Sequence, residues 1–216
     1  MKDVLTVALP KGRIQKDTME LLERIGISCP EMDGDSRKLI FNLPEEKMRF
    51  MVVRATDVPT YVEYGAADIG VVGKDILLEQ GKNLYEPLDL KIGYCRMAVA
   101  EPEELKKKDN PSEWTHVRIA TKFPKITEKY FSEKGVQVEL IKLYGSIELA
   151  PLVGLSERIV DLVSSGETLK QNGLVEVEQI MEITSRLIVN RASLKTRYER
   201  INDLINRLKS EVDKGI

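Results

Sequence analysis

Residues 159–169 read IVDLVSSGETL. An apolar, β-branched run ends in small hydroxyl-bearing residues and a glycine, and a helix can follow. Such a loop can aim several backbone N–H groups at one point. Ser and Thr hydroxyls add donors, and a helix start adds partial positive charge. A phosphate monoester is the natural guest. Asp161, just before the loop, can accept hydrogen bonds from sugar hydroxyls beside that phosphate. Asp161, Ser164, Ser165, Gly166, Thr168 and Leu169 therefore make a candidate cradle for a ribose 5-phosphate. The same residues equally make a capped strand-to-helix turn, for which Ser and Gly are ordinary choices. The Walker spacing of glycines and lysine is missing.

A second such corner is LPKGR at residues 9–13. Gly12 permits close backbone approach, and Lys11 and Arg13 bring two cations to one strand end. Charge-assisted hydrogen bonds could hold a polyphosphate there; a solvated basic turn is the alternative. Arg37, within Ser36-Arg37-Lys38, and Arg54, at the end of the run 50–53, are further candidates. Guanidinium makes two-pronged contacts to phosphate, although each arginine taken singly also reads as a surface residue. His116 has no catalytic partner near it in sequence and reads as structural. Trp114 reads as cover for apolar surface, and Cys95 lacks the flanking histidine of a nucleophile.

The elements that must position these residues alternate in type. Residues 4–9 read as a buried strand. Gly12 opens a helix with Ile14, Thr18, Leu21, Leu22 and Ile25 on one face, and Gly26 closes it. Strands are expected at 38–42, 50–53, 69–72, 117–121, 136–141, 159–163 and 186–190. Helices are expected from Asp57 with Pro59 in the first turn, and at 74–80, 124–133 and 146–153. Ser193 is expected to cap one long final helix, with Leu194, Tyr198, Ile201, Ile205, Leu208 and Val212 at the 3.6-residue period. Residues 101–114, polar and with two prolines, read as a surface excursion. This alternation argues for an α/β architecture with mainly parallel sheets. No fixed-period repeat or low-complexity tract is present.

Composition bounds the function. The chain has 216 residues, 42% of them hydrophobic, enough for a real core. It has 33 basic and 35 acidic side chains, a net charge of −2, so no basic excess points to nucleic acid. Two cysteines and one histidine provide neither a disulfide framework nor zinc-ligand spacing. The cysteine usage fits a reducing compartment, and the start of the chain shows no signal-peptide core, so a cytoplasmic location is expected. No apolar run reaches the roughly 18 residues of a membrane span.

Seven segments then carry a resemblance, in this order: LPKGR (9–13), SRKLI (36–40), RATDVP (54–59), GAADIG (65–70), LDLKI (88–92), LYGSIELAP (143–151) and SSGETL (164–169). They resemble the ATP phosphoribosyltransferases, the first enzymes of histidine biosynthesis, from about residue 5 to residue 190. Several spaced motifs in one order are far more specific than any single loop. Family loops vary at position 167, so Glu167 fits. Ser156-Glu157 departs from the Ala-Asp common among relatives, at a minor contact.

The resemblance implies the transfer of phosphoribose from phosphoribosyl pyrophosphate (PRPP) to N1 of ATP with release of pyrophosphate. Mg2+ would accompany the phosphates as a substrate-bound ion, with no protein metal site. It implies a two-lobed fold like the type II periplasmic binding proteins, with a substrate cleft between the lobes. The first lobe would be 1–93 with 185–216 returning to it, and the second 94–184, carrying the 5-phosphate loop. A chain of this length matches the short form, which pairs with a histidyl-tRNA-synthetase-like regulatory subunit in a hetero-octamer and by itself lacks histidine feedback.

Site roles follow from the same resemblance. Glu148 and Asp161 would face the ribose. Arg13 and Arg37 would stabilise leaving pyrophosphate, with Lys11 and Arg54 completing the cationic set. Lys11, Gly12 and Cys95 would border ATP. Two rivals stay open at this point. A nucleotide-salvage phosphoribosyltransferase would carry two adjacent acids before the loop, where this chain has Asp161 followed by Leu162. A binding module of the same shape would bind anions without chemistry.

Overall fold

Six consecutive buried residues, Leu5–Pro10, form the first strand, β1, of the computed structural model, which describes residues 4–32, 37–108 and 110–215. A strand alternates its side chains between two faces, so a fully buried run needs cover on both. Leu5, Val7 and Leu9 enter one apolar cluster with the helix after β1 and the last helix of the chain, whereas Ala8 enters another on the opposite face.

In chain order, β1 is followed by α1 (Arg13–Arg24), β2 (Ile40–Leu43), β3 (Met48–Val53), α2 (Val58–Glu63), β4 (Ile69–Gly73), α3 (Lys74–Gln80) and β5 (Tyr85–Asp89). Next come β6 (Cys95–Pro102), α4 (Glu103–Lys106), β7 (His116–Thr121), α5 (Pro124–Glu133), β8 (Gln137–Lys142), α6 (Leu149–Leu152), β9 (Arg158–Val163), α7 (Glu167–Gln171) and β10 (Leu174–Ile183). The chain ends with β11 (Ser185–Val189), α8 (Arg191–Thr196) and α9 (Tyr198–Val212). It divides into two units, residues 1–93 with 184–216 and residues 94–183.

Each unit has one sheet with apolar clusters on both faces. The first has the order β2-β3-β1-β4-β11-β5, and the second β10-β6-β9-β7-β8. The sheets are mixed rather than mainly parallel. Among the described residues β1 runs parallel to β3 and β4, and β7 to β8 and β9, while the other five pairings are antiparallel. Three of these follow from the path of the chain. The turn from β2 to β3 is too short for a crossover, and β11 inserts the returning chain between β4 and β5.

The expected single final helix is two. Arg197 breaks it at φ −133°, ψ 32°. Its guanidinium donates to the Val4 carbonyl at 2.7 Å and to the Asp68 carboxylate at 2.6 Å. The cap is Asn190 rather than Ser193, its side chain accepting from Ala192 and Ser193 N–H. Ser193 is buried, and its hydroxyl donates to Asp68 at 2.6 Å. Tyr198 is exposed, outside the apolar stripe of α9. Asp57 likewise precedes α2 without a side-chain cap bond. The excursion 101–114 is anchored at both ends, because Glu101 and Trp114 are buried. Among the described residues no helix is long and apolar enough to cross a membrane.

Candidate active site

In the first unit the strand register gathers the cations. Pro10 of β1 sits opposite Val53 of β3, and the Lys11 N–H donates to the Val53 carbonyl at 3.1 Å. Lys11 and Arg54 therefore leave the sheet side by side at its carboxyl edge, the edge where parallel α/β sheets bind ligands. β2 runs antiparallel to β3, with Ile40 opposite Met51. Arg37, three residues before β2, is thereby carried toward the same edge. Gly12 opens α1 at φ 108°, a backbone that L side chains rarely adopt, and Arg13 is the first helical residue. Lys11, Gly12, Arg13, Arg37 and Arg54 are all solvent-exposed. Ser36 lies outside the described residues.

The second unit carries the loop. β7, β8 and β9 end at one edge, and antiparallel β6 begins there, with Arg96 opposite Val163. Beyond Val163, Ser164 and Ser165 are exposed, and Gly166 turns the chain at φ 82°, ψ −1° into α7. The Glu167 N–H donates to Ser165 Oγ at 3.3 Å. Thr168 and Leu169 lie in the first helical turn, where N–H groups lack intrahelical acceptors. Leu169 is buried in the apolar cluster of Ala98, Ala120 and Ile159, which anchors the loop from below. Leu169 can thus offer a guest only its backbone.

Asp161 is half-buried on β9, and its Oδ1 accepts from the Leu162 N–H at 2.8 Å. Burial pushes its carboxyl above the ordinary carboxylate range. The Glu148 charge pushes the same way, while the Leu162 hydrogen bond and the Lys122 charge pull back. Glu148, just before α6 and half-buried, is therefore an electrostatic neighbour of Asp161. Cys95 begins β6, partly buried against the cluster of Met97 and Val160.

Lys122 and Arg96 escaped the sequence reading. Lys122 follows β7 at the edge shared with Asp161. Its turn is fixed by Thr121 Oγ1, which donates to the Val160 carbonyl and accepts from the Phe123 N–H. A cation between a strand end and a helix start is the pattern that marked Lys11, so Lys122 could have been found. Arg96 could not, because its partners lie 68 and 80 residues away. Among the described residues no group of three or more His, Cys, Asp or Glu side chains could hold a metal ion.

Asp161 supplies a pH test. Its raised value means that the folded state disfavours the ionised carboxylate. The stability this group contributes is therefore complete below the ordinary carboxylate range and lost as pH rises through the raised value. Asp161→Asn is expected to raise the unfolding midpoint at neutral pH. The gain should shrink toward about pH 4, and turnover should fall. A midpoint difference that does not change with pH would contradict this account.

Comparisons with known proteins bear on the whole chain. The family model for ATP phosphoribosyltransferase (HisG) matches residues 54–210. The ATP phosphoribosyltransferase of Syntrophotalea carbinolica is 72% identical over 208 residues, 96% of this chain and 95% of that one. A solved ATP phosphoribosyl transferase (HisG:HisZ) complex from Thermotoga maritima matches with a TM-score of 0.80 and 34% identity, covering 98% of this chain and 100% of that one. The periplasmic aliphatic sulphonate binding protein SsuA from Escherichia coli matches at TM-score 0.59 and 12% identity, over 97% of this chain and 72% of that one. At that identity the likeness is one of fold alone, the two-lobed binding-protein architecture. The two corners, the Asp161 carboxylate on β9 and these matches lead to one conclusion: the chain belongs to the ATP phosphoribosyltransferase family, whose members catalyse the first step of histidine biosynthesis.

Proposed function

We propose how this chain's residues share the transfer of phosphoribose from PRPP to ATP. The loop of Ser164, Ser165, Gly166, Thr168 and Leu169 receives the 5-phosphate, mainly through backbone N–H groups. Asp161 and Glu148 accept from the ribose hydroxyls and stand beside the positive charge that develops on the ring. Adenine N1 attacks the anomeric carbon as the bond to pyrophosphate breaks, and no covalent enzyme nucleophile is needed. Arg13 and Arg37, with Lys11 and Arg54, stabilise the departing pyrophosphate. Lys11, Gly12 and Cys95 border ATP. Catalysis is then mainly orientation and charge stabilisation.

The observation that carries this reading is the loop itself. An αL glycine and exposed serines follow a strand bearing a half-buried carboxylate. The cationic corner has lysine and arginine donors suited to phosphate oxygens, not to a cation. Mg2+ therefore fits as an ion carried by the pyrophosphate, where it would neutralise charge on the leaving group. The similar Thermotoga maritima structure is a HisG:HisZ complex. By that likeness we assign this chain a regulatory partner subunit, of the synthetase-like kind expected above, and its cysteine usage supports a cytoplasmic site of action.

Pyrophosphate release from ATP and PRPP, measured with and without such a subunit, tests the reading. Release dependent on both substrates supports it. Tight PRPP binding with no release would favour the binding-module alternative.

Gly166→Val tests the loop. On the protein side an added Cβ meets nothing nearer than 3.6 Å, so space is not what forbids it. The αL backbone is, because an L residue there costs roughly 1–2 kcal/mol, and more when β-branched. The PRPP KM is expected to rise at least about tenfold while the ATP KM stays within twofold. An unchanged PRPP KM would remove the 5-phosphate from this loop.

A further inference from the structure

Arg96 lies beneath the turn that starts the phosphate loop. Its Cα pairs with Val163, the last residue of β9. Its Nε donates to Glu176 Oε2 at 2.7 Å, and a second guanidinium nitrogen reaches Glu176 Oε1. The third nitrogen donates to the Ser164 carbonyl at 3.1 Å. All three guanidinium nitrogens are therefore engaged at once. The pair also sits against Gly166, where an added Cβ would lie 3.6 Å from Glu176 Oε1 and 3.9 Å from an Arg96 nitrogen.

In a planar trans peptide the C=O and the following N–H point in opposite directions. Holding the Ser164 carbonyl toward Arg96 therefore turns the Ser165 N–H away from it, toward the open side of the loop. An anion on that side meets a donor already aimed, with no reorientation of the peptide. Glu176 has two parts in this. It keeps the guanidinium plane fixed through a two-pronged contact, and it balances the charge beneath the loop. Lysine, a point charge with no planar fork, cannot hold the carboxylate and the carbonyl in the same geometry.

We propose that Arg96 and Glu176 are positioning residues for the donor's 5-phosphate, setting the peptide between Ser164 and Ser165 in its phosphate-receiving orientation. This rests on the loop reading above. Neither residue need touch the substrate, and the cationic corner of the other unit plays no part.

The test uses the full chain with its partner subunit and two competitive inhibitors. Ribose 5-phosphate carries the 5-phosphate alone, and pyrophosphate mimics only the leaving group. Arg96→Lys is expected to raise the ribose 5-phosphate Ki and the PRPP KM about tenfold. The pyrophosphate Ki, the ATP KM and kcat at saturation should stay within twofold. Glu176→Gln, which keeps the shape of the contact, should move the same two constants by a smaller factor.

General damage to the fold would shift all the constants together, and that result would overturn the proposal. So would an unchanged ribose 5-phosphate Ki in Arg96→Lys. If Gly166→Val weakens PRPP while Arg96→Lys does not, the clamp fails and the loop reading stands. If neither variant affects PRPP, both fail.

Discussion

Replacing Arg13 or Arg37 with alanine is expected to lower turnover by about 10²–10³-fold, roughly 3–4 kcal/mol of barrier. In the proposed transfer, breaking the bond to the anomeric carbon separates a developing ring cation from pyrophosphate. The leaving group gains charge only as its bond to the anomeric carbon breaks, so a cation fixed beside it acts more strongly in the transition state than on the bound substrate. The loss should therefore fall on kcat, with the ATP KM changing little. Both arginines are exposed at the carboxyl edge of the first sheet, where Lys11 and Arg54 also emerge. Steady-state kinetics at saturating ATP and PRPP decide the matter. An unchanged rate under those conditions would take the leaving-group role away from whichever arginine was replaced.

The second large effect is on stability. Arg158 Nε donates to Glu101 Oε2 at 2.8 Å, with Arg158 5% and Glu101 0% exposed. The guanidinium also lies 4.3 Å from the centroid of the Trp114 ring, and a second nitrogen reaches the half-exposed Glu157 at 3.3 Å. Removing one partner of such a pair strands the other's charge away from water, at a typical cost of about 3–5 kcal/mol. Arg158→Met should cost about that much. The double variant Arg158→Met/Glu101→Leu should recover most of it, because no charge is left unpaired. Trp114 is the single tryptophan of the chain and stacks on Arg158, so its fluorescence during denaturation reports the second unit directly. A double variant no more stable than the single one would mean that packing around Trp114, not the stranded charge, sets the cost.

Both predictions concern residues whose types were visible in the sequence but whose surroundings were not. LPKGR and SSGETL could be read as strand-to-helix corners because the signals are local. An apolar run ends, glycine appears, and helix-compatible residues follow within a few positions. Most strands and helices were legible for the same reason. Three strands were missed: β6, although its buried apolar run 97–100 is a local signal, and β5 and β10, where that signal is weak. β5 contains a proline and two acids, and β10 alternates valines with glutamates in a partly exposed edge strand. The final helix was misread at Arg197, since its periodicity runs through the break. What stops it is contact with Val4 and Asp68, 193 and 129 residues away.

The sequence by itself determined the chemistry available to this protein: two basic or hydroxyl-rich corners, one carboxylate ahead of the serine-glycine loop, and an ordered set of motifs that identifies the family. These are properties of neighbouring residues, and covalent spacing preserves them in any fold. Tertiary structure alone decided that Lys11 and Arg54 share an edge, that Asp161 is half-buried with Glu148 and Lys122 for neighbours, and that Arg96 holds the Ser164 carbonyl. Strand register and burial create those relations. Both depend on which distant segments pair, and a one-residue slip would turn every side chain of a strand to its other face.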